Sequence, residues 1–130
     1  VSSKKPQEVV KFVLANRHYP VKFVFWLGEF DQGGLEQYAR AKRLLHKEDS
    51  LRGWEQGDLG LCWPMGTNAV IWLKESNVRP RSVDSIMHEC THAVLRTGRE
   101  LGFVPSEDAE EYFAYMMGWL AGELFKKLLK

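Results

Sequence analysis

His88 and His92 stand at positions i and i+4 of the run His-Glu-Cys-Thr-His, and that spacing ties the chain to one local conformation. In an α-helix such positions lie one above the other, so two imidazoles share a face and can grip one ion between them. Glu89 then projects about 100° round the helix from His88. From there it can hydrogen-bond a water held by the ion and take its proton as a general base. The pentapeptide is thus a two-point zinc grip with a base beside it. The competing reading is a helix with solvated histidines.

The flanking residues favour the helix. Val83, Ile86, Met87, Cys90, Val94 and Leu95 recur at helical spacing as an apolar stripe, leaving the two histidines on a separate face. Pro80 and Ser82 mark a start, with Ser82 as N-cap and Asp84 in the first turn, and Gly98 reads as the C-terminal stop.

A catalytic zinc needs a third protein ligand and an open position for water. No histidine follows His92, so the ligand is of another type. Pro105 and Ser106 open a further helix that carries Glu107, Asp108, Glu110 and Glu111. Glu111 stands eighteen residues beyond His92, in a stripe with Ala114, Gly118 and Gly122, small residues suited to close approach between helices. Glu110 borders the bulky stripe of Phe113, Met117, Leu120 and Leu124 instead. Glu111 is therefore preferred to Glu110. First-turn acids also stabilise any helix through its dipole, which suffices for Glu107 and Asp108.

HExxH followed by eighteen residues and a glutamate resembles the gluzincin arrangement. Glu110-Glu111-Tyr112-Phe113-Ala114 is similar to the Asn-Glu-Gly-Phe-Ala segment of zinc aminopeptidases. His88 to Ala93, taken with Glu111 to Leu120, resembles the small HExxH proteins of bacteriophages and prophages, whose second helix carries Glu-x-x-Ala-Tyr-x-x-Gly. The likeness covers about the last third of the chain. It implies a zincin-like fold with His88, His92 and Glu111 on zinc and Glu89 as base, and it implies little about substrate.

The 130 residues, 45% of them hydrophobic, suffice for one core, so residues 1–130 are expected to form a single α+β domain. In that domain a small sheet packs on the HExxH helix and the Glu-bearing helix that follows. Eighteen basic against seventeen acidic residues give a net charge of +1, so no overall field favours nucleic acid. Lys4-Lys5 and Lys126-Lys127-Lys130 read as solvated ends. No run reaches membrane-spanning length and no signal pattern opens the chain, so a soluble cytoplasmic protein is expected. Two cysteines make no disulfide framework. Cys90, about 200° round from His88, and Cys62, in a strand, read as small core residues.

Along the chain the pattern predicts helix, strand, helix, hairpin, helix, helix. Val9, Val10, Val13 and Leu14 after Pro6 suggest a short amphipathic helix over 6–16. The run from Val21 to Leu27 reads as a strand buried on both faces. After Gly33-Gly34, residues Leu35, Tyr38, Ala39, Lys42 and Leu45 suggest a helix ending before Asp49. Leu59 to Trp63 and Ala69 to Leu73 read as strands joined by a turn, and 59–73 is the candidate edge along which an extended peptide would lie. His18 and His46 read as solvated.

The expected activity is zinc-dependent hydrolysis of a peptide bond in a peptide or protein substrate. Tyr115 and Tyr112 are candidate donors to the oxyanion and Asp84 a candidate to orient an imidazole, but a tyrosine on a helix more often packs, and a first-turn acid favoured by the helix dipole is the preferred reading of Asp84. Two alternatives stand beside it: a non-catalytic, regulatory zincin-like phage protein, and a zinc amidase for a non-peptide amide. Glu89 favours catalysis, because a structural zinc needs no base and is usually closed by four protein ligands.

Overall fold

The apolar run ending at Leu27 becomes one of two central strands of a sheet, covered on both faces by helices. The computed structural model describes residues 9–53, 55, 58–74 and 80–129, with the side chains of residues 80–82 outside that description. The elements are β1 (Val10–Ala15), β2 (Lys22–Leu27), α1 (Gln32–Ala41), β3 (Gly60–Met65), β4 (Asn68–Leu73) and α2 (Pro80–Glu100). A single 3-10 turn over Glu107–Ala109 then leads into α3 (Glu110–Leu128).

The four strands lie in the order β1-β2-β4-β3. β1 pairs antiparallel with β2, β2 parallel with β4, and β4 antiparallel with β3. The two central strands carry continuous apolar sequence because both of their faces are buried. Phe23, Phe25, Ile71 and Leu73 face α2 and α3, where Cys90, Val94, Met116 and Leu120 meet them. Val24, Trp26, Val70 and Trp72 face the other way, onto Leu35 and Ala39 of α1 and onto Leu44, Leu45 and Leu51 after it. The result is an α+β domain with α1 on one side of the sheet and α2 with α3 on the other. The indoles on the α1 side are satisfied: Trp72 Nε1 donates to Gly28 O at 2.8 Å, Trp26 Nε1 to Glu29 O at 2.9 Å and Trp63 Nε1 to Arg52 O at 2.7 Å.

Several expectations are corrected. Residues 10–15 form a strand, not a helix. A short run rich in β-branched residues satisfies both periods, and here Phe12 and Leu14 point into one core while Val13 packs against the other. Pro6, which suggested a helix start, lies outside the described residues. Gly98 does not stop α2. It is buried within the helix, and a Cβ there would lie 2.8 Å from Tyr112 Cε1 and 2.9 Å from Phe113 Cε1, so glycine lets α3 approach. The stop is Gly102, at φ 94°, with Gly102 N donating to Arg99 O at 3.0 Å and Phe103 N to Gly98 O at 2.9 Å, a Schellman motif.

The third correction concerns α3. Its buried stripe is Tyr112, Met116, Leu120 and Leu124. Ala114, Gly118 and Gly122 are exposed, and a Cβ at either glycine would meet nothing within 4 Å. The small residues therefore do not bring α3 against α2. Two helix starts also differ from the reading: α2 runs from Pro80, so Ser82 lies inside it and its first turn holds no acid, and Gly33-Gly34 lie inside α1. The 59–73 region is a hairpin as expected, turning at Gly66 (φ 63°), although only β3 is an edge while β4 lies inside the sheet. The second helix begins at Gln32, where Asp31 caps it by accepting from Gly34 N at 3.1 Å, and ends at Ala41. Among the described residues no helix is long and apolar enough to cross a membrane.

Candidate metal centre

α2 lays its apolar stripe on the sheet beside β3, and that placement decides what the HExxH face meets. His88 and His92 lie at the helix margin, His88 well exposed, while Glu89 turns inward beneath β3 and is only 6% exposed. The ligand atoms of His88, Glu89 and His92 all lie within 4.8 Å of one another, the one such group among the described residues.

The two Nε2 atoms are 3.1 Å apart, with the rings at 82° to each other. A tetrahedral ion with metal–nitrogen bonds of about 2.05 Å places its ligand atoms roughly 3.3 Å apart, so the pair matches one edge of a zinc coordination shell. Glu89 Oε1 lies 3.8 Å from His88 Nε2, beside that edge. Among the described residues Glu89 Oε2 is buried with no hydrogen-bond partner, a costly arrangement for a carboxylate. These residues fit a divalent ion with an adjoining proton acceptor. Burial pushes the Glu89 carboxyl above its ordinary range, His88 and His92 pull it back, and Asp58 adds to the rise.

Gly60 makes room for this carboxylate. A Cβ there would lie 2.9 Å from Trp72 O, 3.1 Å from Leu73 Cδ2 and 3.2 Å from Glu89 Cγ. Asp58, Leu59 and Gly60 then form one wall of a cleft of about 370 Å³ whose other wall is Asp84, Ser85, His88 and Glu89. Sequence reading missed Asp58 and Gly60. The available signal was a glycine at the start of a strand, which marks a close backbone approach.

Glu111 is not among the residues whose ligand atoms gather within 4.8 Å of one another. It is exposed in the first turn of α3, on the flank shared with Tyr115. Tyr115 has its ring 5.8 Å from that of His18 and its hydroxyl accepting from Asn16 Nδ2 at 3.2 Å. Tyr112 and Phe113 of α3 meet α2 at Gly98, six residues or about 9 Å of helix rise beyond His92. Tyr112 is buried against Phe103 and Tyr19, so neither tyrosine lines the cleft. Asp84 does line it. Cys62 and Cys90 are free thiols pushed up to about 12, chiefly by burial. Cys90 is a core residue as expected, and Cys62 is half-buried on β3.

No protein-family model matches this chain, and no curated protein or solved structure matches it.

Proposed function

We propose that this protein is a zinc-dependent peptidase. The observation that carries the reading is the pair of Nε2 atoms 3.1 Å apart with a buried, half-unpartnered carboxylate beside them. A zinc ion held by His88 and His92 would supply Lewis acidity, making water a nucleophile at neutral pH and polarising a carbonyl. Glu89 takes the proton released by the attacking water and returns it to the departing amine. Its raised pKa suits this work, because a base that holds its proton more firmly can also deliver it. Its enclosure under Gly60 fixes its direction and keeps bulk water from competing.

The edge strand supports a peptide as substrate. Leu59 O accepts from Lys74 N at 2.9 Å, which sets the alternation of the β3–β4 ladder. Gly60 and Cys62 then direct their peptide groups at the open edge, next to the cleft, where an extended chain can pair with them. Pro64 limits that edge by lacking an N–H.

Metal analysis combined with hydrolysis of a peptide library tests the reading. One zinc per chain, lost in the His88→Ala, His92→Ala double variant, together with cleavage that Glu89→Gln abolishes, is the expected result. Stoichiometric zinc with no cleavage of any peptide would replace the peptidase with a zinc-holding binding protein.

A further inference from the structure

The cleft beside Glu89 carries one sign of charge. Asp58 stands on the wall that leads into β3, Asp84 on the wall made by α2 one turn before His88, and Glu89 belongs to the same lining. Among the described residues no lysine or arginine lines the cleft, and neither aspartate is matched by a cation: Asp58 Oδ2 accepts from Glu55 N at 2.9 Å, and Asp84 makes no hydrogen bond or ion pair. His88 is the one basic group in the lining, and its Nε2 belongs to the pair that would hold the ion. Glu89 adds what an acidic cluster alone lacks. It is 6% exposed, and its Oε2 is buried without a hydrogen-bond partner among the described residues, so a positive group entering the cleft would meet a carboxylate already stripped of water. Even beside a zinc ion, the carboxylates of Asp58, Asp84 and Glu89 outweigh its two charges, and the cleft keeps a negative potential.

Leu59 supplies the other half of the recognition. It is 58% exposed and lines the same cleft. Lysine and arginine side chains lay an aliphatic stem on apolar surface and keep the charged head among polar groups. A volume of about 370 Å³ stands at the small end of the roughly 300–1,000 Å³ of ligand pockets, which suits a single side chain. We propose that this cleft is the subsite for a lysine or arginine side chain of the substrate, so that the enzyme cuts next to a basic residue. This rests on the peptidase reading above and names its substrate class. His88 lines the cleft and His92 does not, so the subsite adjoins the metal pair on one side, toward the start of α2. A chain paired along β3 sets the stem of its basic residue on Leu59 and the head between Asp58 and Asp84.

The test is hydrolysis, by the zinc-loaded full chain, of matched peptides that carry lysine, methionine or glutamate at one position, each with its N-terminus acetylated or free. Methionine resembles the lysine stem without the charge. The lysine peptide should be cut beside the lysine with kcat/KM at least about fivefold above the methionine peptide, and further above the glutamate one. That lysine-to-methionine ratio should fall about 2- to 5-fold in Asp58→Asn and in Asp84→Asn, the effect of losing one partly exposed ion pair. A ratio taken on one enzyme cancels any change at Glu89 itself. Asp84→Lys should turn the preference toward glutamate, a result that loss of fold cannot imitate. Equal kcat/KM on the lysine and methionine peptides overturns the assignment. So does cleavage that requires a free N-terminus and ignores lysine, which gives the cleft to the α-ammonium, or a second equivalent of zinc lost in Asp58→Asn and Asp84→Asn, which gives it to a metal. If no peptide is cut, the peptidase reading falls, and titration of the same peptides onto the native chain decides the cleft separately. Tighter binding of the lysine peptide then supports it, and equal affinity for lysine and methionine peptides overturns it.

Discussion

Gly60 on β3 and Glu89 on α2 touch with no space for a side chain between them: a Cβ at Gly60 would stand 3.2 Å from Glu89 Cγ and 2.9 Å from the Trp72 carbonyl oxygen. The second contact is with backbone, which cannot swing aside, so strand and helix must separate to admit a methyl group. Gly60→Ala should therefore cost about 1 to 3 kcal/mol, the range for overpacking a filled site. It should also lower peptide hydrolysis in protein that is still folded, because Glu89 is displaced. Chemical denaturation and activity measured on the same preparation check this. Native stability with native turnover would refute the close approach.

The opposite outcome is expected on α3. Gly118 and Gly122 lie in a helix with open space where a Cβ would be. Alanine is better than glycine in a helix interior by roughly 0.8–1.0 kcal/mol per site. Gly118→Ala and Gly122→Ala should each raise the denaturation midpoint. A loss of stability would mean that this face packs closely against something, as a small-residue stripe suggests on sequence alone.

That stripe shows where the sequence ceases to be informative. The HExxH helix was legible because i and i+4 spacing and a continuous apolar stripe require one conformation, and β2 and β4 because both of their faces are apolar. β1 was not, since Val9, Val10, Val13 and Leu14 satisfy a helical period as well as an alternating one, and only pairing with β2 decides between them. Gly98 and Gly118 are both helical glycines, yet one admits an aromatic ring and the other faces open space. Composition cannot tell which glycine faces a neighbour. The same ambiguity covers the acids: His88, Glu89 and His92 are fixed to each other by helix geometry, whereas any ligand from another element depends on tertiary placement. Asp58 and Gly60 enter the site through strand register and helix docking, neither of which a single sequence encodes locally.

Metal binding should register as stability. An ion that binds only the folded chain stabilises it by about 2.7 kcal/mol at a hundred times its Kd, because the ligand set is absent from the unfolded chain. Zinc should raise the thermal midpoint of the native protein in a concentration-dependent way, and a chelator should reverse the rise. His88→Ala should abolish it, since a single imidazole no longer forms the 3.1 Å pair. A rise of equal size in that variant would move the metal elsewhere.

Glu89 links stability to pH in the metal-free protein. Burial raises its carboxyl in the folded chain above the unfolded value of about 4.3, so between those two values the folded state binds more protons than the unfolded. Stability from this group is complete below the unfolded value and is lost as pH rises through the raised folded one. Glu89→Gln keeps the shape and removes the charge. The metal-free variant should accordingly unfold at a higher temperature than the native chain at pH 7, and the difference should shrink toward pH 4. Loaded with zinc, the same variant should hydrolyse peptide about 10²- to 10⁴-fold more slowly, the usual contribution of a general base. Thermal melts across pH, paired with turnover at pH 7, separate the two effects. A variant no more stable than the native chain at pH 7 contradicts the burial of an ionised carboxylate, and native turnover in the zinc-loaded variant removes Glu89 as the base.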